Sequence, residues 1–294
     1  NTIKASLGVA SRISNIIGPE STNALGKTIH QISKQSMPLW FANYPQAAHD
    51  LPKFVPASSE RPKIIYFPSC ATRNMGAAPH AKEQRSVPEV VQSLFAKSGY
   101  DVILPDSVDG LCCGMPFNSK GFNQQATEKG NALLDTLQNL SKDGAYPIVF
   151  DTSPCKLRLQ EMGHELPIFE TTQFMSQFVL DKLHITPTTE PIALHVTCSS
   201  QKMGIGDNLR HVANACSLQV IEPEGIACCG FAGDKGMTIP ELNASALSGL
   251  KTQIPKDCSK GYSNSRTCEI GLSQHSGIDY QSLLFLLDEV SEAK

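Results

Sequence analysis

The sequence is short of several things, and each shortage removes a class of function. Its apolar runs are brief, Leu283 to Leu287 being typical of the longest. That is far below the roughly 20 residues of a membrane helix. Charge of one sign is not in excess: 25 Lys and Arg face 28 Asp and Glu, a net −3 with no electrostatic case for nucleic acid. There is a single Trp, and Trp40, between Pro38 and Pro45, reads as a packing anchor rather than a recognition site. No Gly-x-Gly-x-x-Gly and no phosphate loop occur, so nothing in this chain binds a flavin or nucleotide. No His-x-x-x-His or His-Glu-x-x-His occurs, and Ser69, Ser199 and Ser200 lack a nucleophile motif. There is no Cys-x2-Cys knuckle, which argues against structural zinc. There is no secretory signal. The start is polar and lacks Met, so the sequence reads as a piece with something upstream.

What is present is a chain of 294 residues, 40% hydrophobic, long enough for two domains with packed cores. It also holds ten cysteines, many for a chain without signs of export. In a reducing compartment clustered thiols bind metal or do redox chemistry more often than they form structural disulfides. Two triplets stand out, Cys112-Cys113-Gly114 and Cys228-Cys229-Gly230. Each has a lone cysteine upstream, Cys70 or Cys198, and another downstream, Cys155 or Cys268. Cys216 follows Leu209, Val212 and Ala213 at helical spacing and reads as a buried small hydrophobe. Cys258, in a polar stretch, is left out of any site.

The quartets belong to a duplication. Lys63–Cys70 parallels Pro191–Cys198, each a β-rich run ending at a cysteine. Val102-Ile103-Leu104-Pro105 parallels Val220-Ile221-Glu222-Pro223 ahead of each triplet, and Tyr146–Asp151 parallels the weaker Gly261–Ser265 ahead of each last cysteine. Helices fill the gaps. Ser86-Val87-Pro88-Glu89 is a capping box whose helix has Val87, Val90, Val91, Leu94 and Phe95 on one face. Thr238-Ile239-Pro240-Glu241 is a second such box, and Leu133, Leu134, Leu137 and Leu140 mark another amphipathic helix. Each half therefore reads strand, helix, strand, helix, strand. The expected fold is α/β: two pseudo-symmetric domains with small parallel sheets flanked by helices, at 61–188 and 189–294. A helical segment and linker at 1–60 precedes them, with helices over Ile3–Ile17 and Thr22–Ser36. Ligands of open parallel sheets gather beyond the carboxyl ends of the strands, where the cysteines fall, so two pseudo-symmetric sites are expected.

Four thiolates per half suit an iron–sulfur cluster. Adjacent cysteines in an extended chain point to opposite sides, so aiming both at one group needs a turn, which Gly114 or Gly230 would permit. Structural zinc, a vicinal disulfide and buried unmetallated thiols remain as other readings of the same residues. His195, three residues before Cys198, reads as a packed strand histidine, with a hydrogen bond to cluster sulfur as the alternative. His80 reads as a solvated loop residue. Lys120 and Lys235, each following a triplet, either offset thiolate charge or are plain surface residues.

The arrangement resembles the Cys-Cys-Gly cysteine-rich domain family. Its members include the heterodisulfide reductase B subunit, the glycolate oxidase iron–sulfur subunit and the C-terminal part of FAD-linked D-lactate dehydrogenases. The family's fullest pattern ends in Cys-x-x-Cys; here Thr152 and Ser265 replace the first cysteine of each such pair. That leaves four ligands per half and speaks against the five-cysteine disulfide-cleaving cluster. The resemblance is nearest to the D-lactate dehydrogenase tail, whose connector is similar to Met37-Pro38-Leu39-Trp40 with Pro45-Gln46-Ala47-Ala48. It implies an oxidoreductase fragment that relays electrons through up to two 4Fe-4S clusters. Cys70, Cys112, Cys113 and Cys155 would hold one; Cys198, Cys228, Cys229 and Cys268 the other. FAD would sit in an upstream domain, beside a ferredoxin-like domain, or in a partner subunit, with a quinone or cytochrome as acceptor. The implied location is cytoplasmic, with peripheral attachment at the inner face of the membrane. Two alternatives stay open: a non-catalytic docking module with degenerate sites, and a thiol–disulfide redox protein.

Overall fold

A computed structural model describes residues 2–41, 44–54, 60–79 and 81–294; the reading of His80 lies outside the described residues. The first sheet contains β1 (Lys63–Phe67), β2 (Asp101–Ile103), β3 (Ile148–Phe150) and β4 (Ile168–Glu170) in the order β2-β1-β3-β4. All its pairs are parallel. Ile64, Ile65, Tyr66 and Phe67 are buried as an unbroken apolar run, which suits a central strand covered on both faces. After β5 (Leu183–Ile185) the pattern repeats. β6 (Ile192–Leu194), β7 (Val220–Ile221), β8 (Lys260–Ser263) and β9 (Asp279–Ser282) form a parallel sheet ordered β7-β6-β8-β9. β10 (Ser291–Ala293) returns antiparallel to β5. The chain is thus an α/β fold with two repeated parallel sheets flanked by helices, preceded by a helical segment.

Each half has a fourth strand beyond the three read from the sequence. β4 and β9 have no alternation or β-branched run to announce them, and the neighbouring strand supplies their pairing. Ser86 caps the helix Val87–Lys97 as expected: its hydroxyl accepts from Glu89 N while Glu89 Oε2 accepts from Ser86 N at 2.6 Å. The second box does not form. Thr238 Oγ1 bonds back to Lys235 O at 3.2 Å, and the helix Pro240–Ala246 starts from Ile239 without a side-chain cap. Thr238 closes the preceding helical turn Lys235–Thr238, which leaves Ile239 at the cap position. The helix Asn123–Leu140 buries Ala126, Gly130, Leu133 and Leu137, while Leu134 and Leu140 are only partly covered.

Three apolar clusters hold the molecule. The largest lies between the halves, joining Val90, Leu94 and Phe95 to Leu194, Leu209 and Leu283. The other two lie under the triplets. Each fully buried Leu or Phe contributes about 1.5–3 kcal/mol, so the inter-half cluster makes separation of the halves costly. Asp288 reinforces the junction from the C-terminal helix Leu283–Glu289: it takes Arg85 at 2.7 Å, Lys97 at 2.7 Å and Ser93 at 2.6 Å.

The leading helices, Thr2–Ile17 and Pro19–Ile32, show the reverse pattern. The second begins before Thr22 because Pro19 takes its first position after Gly18. Leu7, Thr22, Gly26 and His30 face inward, while Ile3, Val9, Ile13, Ile16, Leu25, Ile29 and Ile32 are exposed. Trp40 packs edge-on against Tyr44 at 5.2 Å, as an anchor. Among the described residues no helix is long and apolar enough to cross a membrane.

Candidate metal centres

The cysteines arrive from the carboxyl ends of three strands in each sheet. Cys70 opens the helix Cys70–Asn74 just after β1; Cys112 and Cys113 follow β2; Cys155 lies in the helix Ser153–Met162 after β3. Cys198, Cys228-Cys229 and Cys268 hold the same places around β6, β7 and β8. Both quartets come together. Cys113 Sγ stands 3.1 Å from Cys155 Sγ, and Cys229 Sγ stands 2.8 Å from Cys268 Sγ. Cys70 bonds to Cys112 and Cys198 to Cys228, so each quartet is a continuous chain of thiols. All ten cysteines are free; Cys216 and Cys258 are buried apart from both chains.

The glycines make the turn that the triplets require. Gly114 and Gly230 have φ of +86° and +69°. Their N–H groups point back to Cys112 Sγ at 3.4 Å and Cys228 Sγ at 3.3 Å. There is no room for a Cβ: one on Gly114 would lie 2.2 Å from Ala126 O, and one on Gly230 2.5 Å from Leu242 O. The triplet thus seats its loop directly on a helix backbone.

In each half the first cysteine of the triplet becomes an acid thiol. Cys113 and Cys70 donate to Cys112, with the Gly114 N–H and the Arg73 guanidinium adding to them, and hold its thiol far below the ordinary range. Cys198 and Cys229 do the same for Cys228, helped by Gly230 and His195. The donors shift the other way: Cys70, Cys113, Cys198 and Cys229 are all raised, chiefly by those same bonds and by burial. Cys268 is pushed down to about 6, first by Cys229 against the cost of burial, then by His195 and Ser265. Lys120 and Lys235 are surface residues; Lys120 meets Asp234 at 2.7 Å and links the loops that follow the two triplets.

A second set of residues places the cysteine helices. Asp151, wholly buried, accepts Ser69 N at 2.9 Å, Thr72 Oγ1 at 2.7 Å and Tyr66 OH at 2.7 Å. Burial raises its carboxyl and these donors work against that rise. Its counterpart Asn264 accepts Thr197 Oγ1 at 3.0 Å and donates to Ser200 Oγ at 2.9 Å. Each ties the strand end ahead of the last cysteine to the helix of the first. Between halves the packing is crossed: the Cys155 helix lies on the Cys198 helix, and the Cys268 helix on the Cys70 helix. Ser153 Oγ meets Thr197 Oγ1 at 2.8 Å and Ser199 Oγ at 2.7 Å, and Arg266 donates to Gly76 O. Position in the repeat is the one sequence signal for Asp151 and Asn264, which stand four residues before Cys155 and Cys268.

The donor set is all sulfur, and in the second half the buried ring of His195 lies beside Cys268 and Cys228 with its Nε2 unpaired. Among the described residues no three His, Cys, Asp or Glu side chains are arranged to hold a single metal ion. The chemistry of the donors fits a cluster, and ligation would spread the quartets and deprotonate them.

The family model of the cysteine-rich domain CCG matches residues 64–160 and again 192–268. No curated protein matches the chain. Among solved structures, an aspartate racemase homologue from Pyrococcus horikoshii OT3 is 11% identical, with TM-score 0.30, over 77% of this chain and 96% of its own. Picrophilus torridus aspartate racemase is 8% identical, with TM-score 0.35, over 79% and 96%. Allantoin racemase from Klebsiella pneumoniae is 11% identical, with TM-score 0.27, over 78% and 85%. At such scores the likeness carries no argument about this chain. The two family matches fall on the two thiol quartets and cover more than half of the sequence: the chain belongs to the Cys-Cys-Gly cysteine-rich domain family, typically an iron–sulfur electron-transfer module.

Proposed function

We propose that the chain, divided as 1–60, 61–188 and 189–294, relays electrons through two four-iron clusters for a flavin-dependent D-2-hydroxy-acid dehydrogenase of the D-lactate type. The observation that carries this reading is the convergence of four thiols around a Cys-Cys-Gly turn, twice, at equivalent sheet edges. Cys70, Cys112, Cys113 and Cys155 would hold one cluster, and Cys198, Cys228, Cys229 and Cys268 the other. The protein's share is to supply thiolates, to fix them through Asp151 and Asn264, and to set the potential by hydrogen bonds and burial. FAD and a ferredoxin-like domain would lie upstream or in a partner subunit, with a quinone or cytochrome as acceptor. Support for the dehydrogenase comes from the Met37–Trp40 connector, whose Leu39 N bonds Met237 O at 2.5 Å beside the second triplet. Peripheral attachment to the membrane is supported by the exposed aliphatic stripe of the leading helices and their exposed Arg12 and Lys27.

The test is anaerobic reconstitution with iron and sulfide, followed by iron and sulfide analysis. Two clusters are expected in the wild type and one in Cys113→Ser. Colourless, iron-free protein would overturn the reading. A second reading, a docking module whose sites have shed their clusters, is favoured by Thr152 and Ser265, which stand where the family's fullest pattern has a further cysteine. It expects Cys112→Ser to leave electron transfer intact in the full-length enzyme.

A further inference from the structure

The duplication pairs residues of the first centre with residues of the second, and at one pair beside the sulfurs an aromatic ring faces an imidazole. Phe67 and His195 both stand three residues ahead of a first cysteine, at the carboxyl end of β1 and just beyond that of β6. Phe67 packs against Phe150 at 5.2 Å on one side and under Arg73 at 5.5 Å on the other, and offers sulfur no donor. His195 is 3% exposed, its ring lies beside Cys268 and Cys228, and its Nε2 is buried without a partner. The backbone holds it in place: His195 N donates to Tyr262 O at 2.9 Å, and Ser263 Oγ donates to His195 O at 3.1 Å. A buried ring nitrogen left unpaired is costly, and the cost is removed when a partner enters the site.

We propose that His195 is a positioning residue that donates from Nε2 to sulfur of the second centre, and that this bond makes the second centre the easier of the two to reduce. The proposal rests on the iron–sulfur reading above. Reduction adds negative charge to sulfur, so a donor aimed there stabilises the reduced form more than the oxidised one. Exposure acts in the same direction, because water solvates added charge: Cys198 and Cys228 are exposed, whereas Cys70 and Cys112 are half-buried. The neighbouring charges act in the opposite direction and are each partly offset. Arg73 faces Cys70 and Cys112 but Asp151 lies behind the same helix, and Glu269 beside Cys268 is paired with Arg266 at 3.0 Å. An electron shared between the centres therefore rests on the second; no bond is made or broken, and the imidazole keeps its proton.

The experiment is a dithionite titration of reconstituted protein, with midpoints read by electron paramagnetic resonance. Wild type is compared with His195→Phe, His195→Gln and Phe67→His. Two one-electron steps are expected. His195→Phe lowers the upper step by about tenfold in its equilibrium constant, roughly 59 mV, and leaves the lower one in place. His195→Gln, which keeps an N–H near the same point, restores most of the shift. Phe67→His raises the lower step. Iron and sulfide content of each variant separates the outcomes. Absence of iron from the wild type defeats the cluster reading and this inference with it. Two loaded centres with unmoved midpoints defeat this inference alone. Loss of one cluster in both His195 variants gives His195 a purely structural role and overturns the inference too.

Discussion

Replacing Gly114 by Ala puts the glycine of the triplet to a quantitative test, because two separate costs meet there. The first is conformational: at φ +86° a Cβ crowds the following carbonyl, worth roughly 1–2 kcal/mol. The second is steric: the Cβ would sit 2.2 Å from Ala126 O, part of the buried turn of the helix Asn123–Leu140. Backbone cannot step aside as a side-chain tip can, so the loop must lift off the helix, at about 1–3 kcal/mol by analogy with overpacked cores. Gly121 is the built-in control. Its φ is +83°, and nothing lies within 4 Å of an added Cβ, so Gly121→Ala meets the first cost alone. With about 2–4 °C lost per kcal/mol in a chain of this size, Gly114→Ala should melt roughly 10 °C lower and Gly121→Ala roughly 4 °C lower. Circular dichroism melts of metal-free protein under reducing conditions read both. Equal drops would refute the close-approach argument.

Two other perturbations follow from buried carboxylates. Burial pushes Glu170 up to about 7, against bonds from Gln173 and Thr172. A folded value above the unfolded one gives stability that is complete below the unfolded value and is lost as pH rises through the folded one. Stability should therefore fall by on the order of 3 kcal/mol between about pH 4.5 and 7 on this account, and Glu170→Gln should flatten that slope in denaturant titrations at several pH values. Asp288 behaves oppositely: burial raises its carboxyl, but Lys97, Ser93 and Arg85 outweigh burial and hold it below the usual range. Its stability is present above the unfolded value and lost as pH falls through the lower folded one. Asp288→Ala should cost about 2–3 kcal/mol at pH 7, after allowance for the solvent exposure of Arg85, and much less near pH 3; an equal loss at both would exclude the ion-pair explanation.

The duplication, the parallel sheets and the convergence of the thiols were legible because each is written locally. Ile64–Phe67 is an apolar run stopped by a cysteine, Ser86 and Glu89 sit at capping distance, and Gly114 follows two residues that need a turn. What escaped reading depends on partners distant in the chain. Asp151 looks like any loop carboxylate until Tyr66, Ser69 and Thr72 come round to it from β1. Thr238 has the right letter for a cap, but its backbone belongs to the turn Lys235–Thr238 and Ile239 takes the cap position. His195 is readable both as a packed strand residue and as a donor to sulfur, and the fold shows it buried beside Cys268 and Cys228 with Nε2 unpaired.

The crossed packing has an evolutionary reading. Since the last cysteine helix of each half rests on the first cysteine helix of the other, neither centre is the property of one repeat. A substitution at Ser153 disturbs Thr197 and Ser199, and so reaches across the duplication to the neighbourhood of Cys198. The ancestor of such a chain is most simply a symmetric pair of identical subunits, in which every crossing was an intersubunit contact. Fusion then freed the copies to diverge, and the places where they have diverged, Phe67 against His195 and Asp151 against Asn264, are those that a symmetric pair could not have varied one at a time.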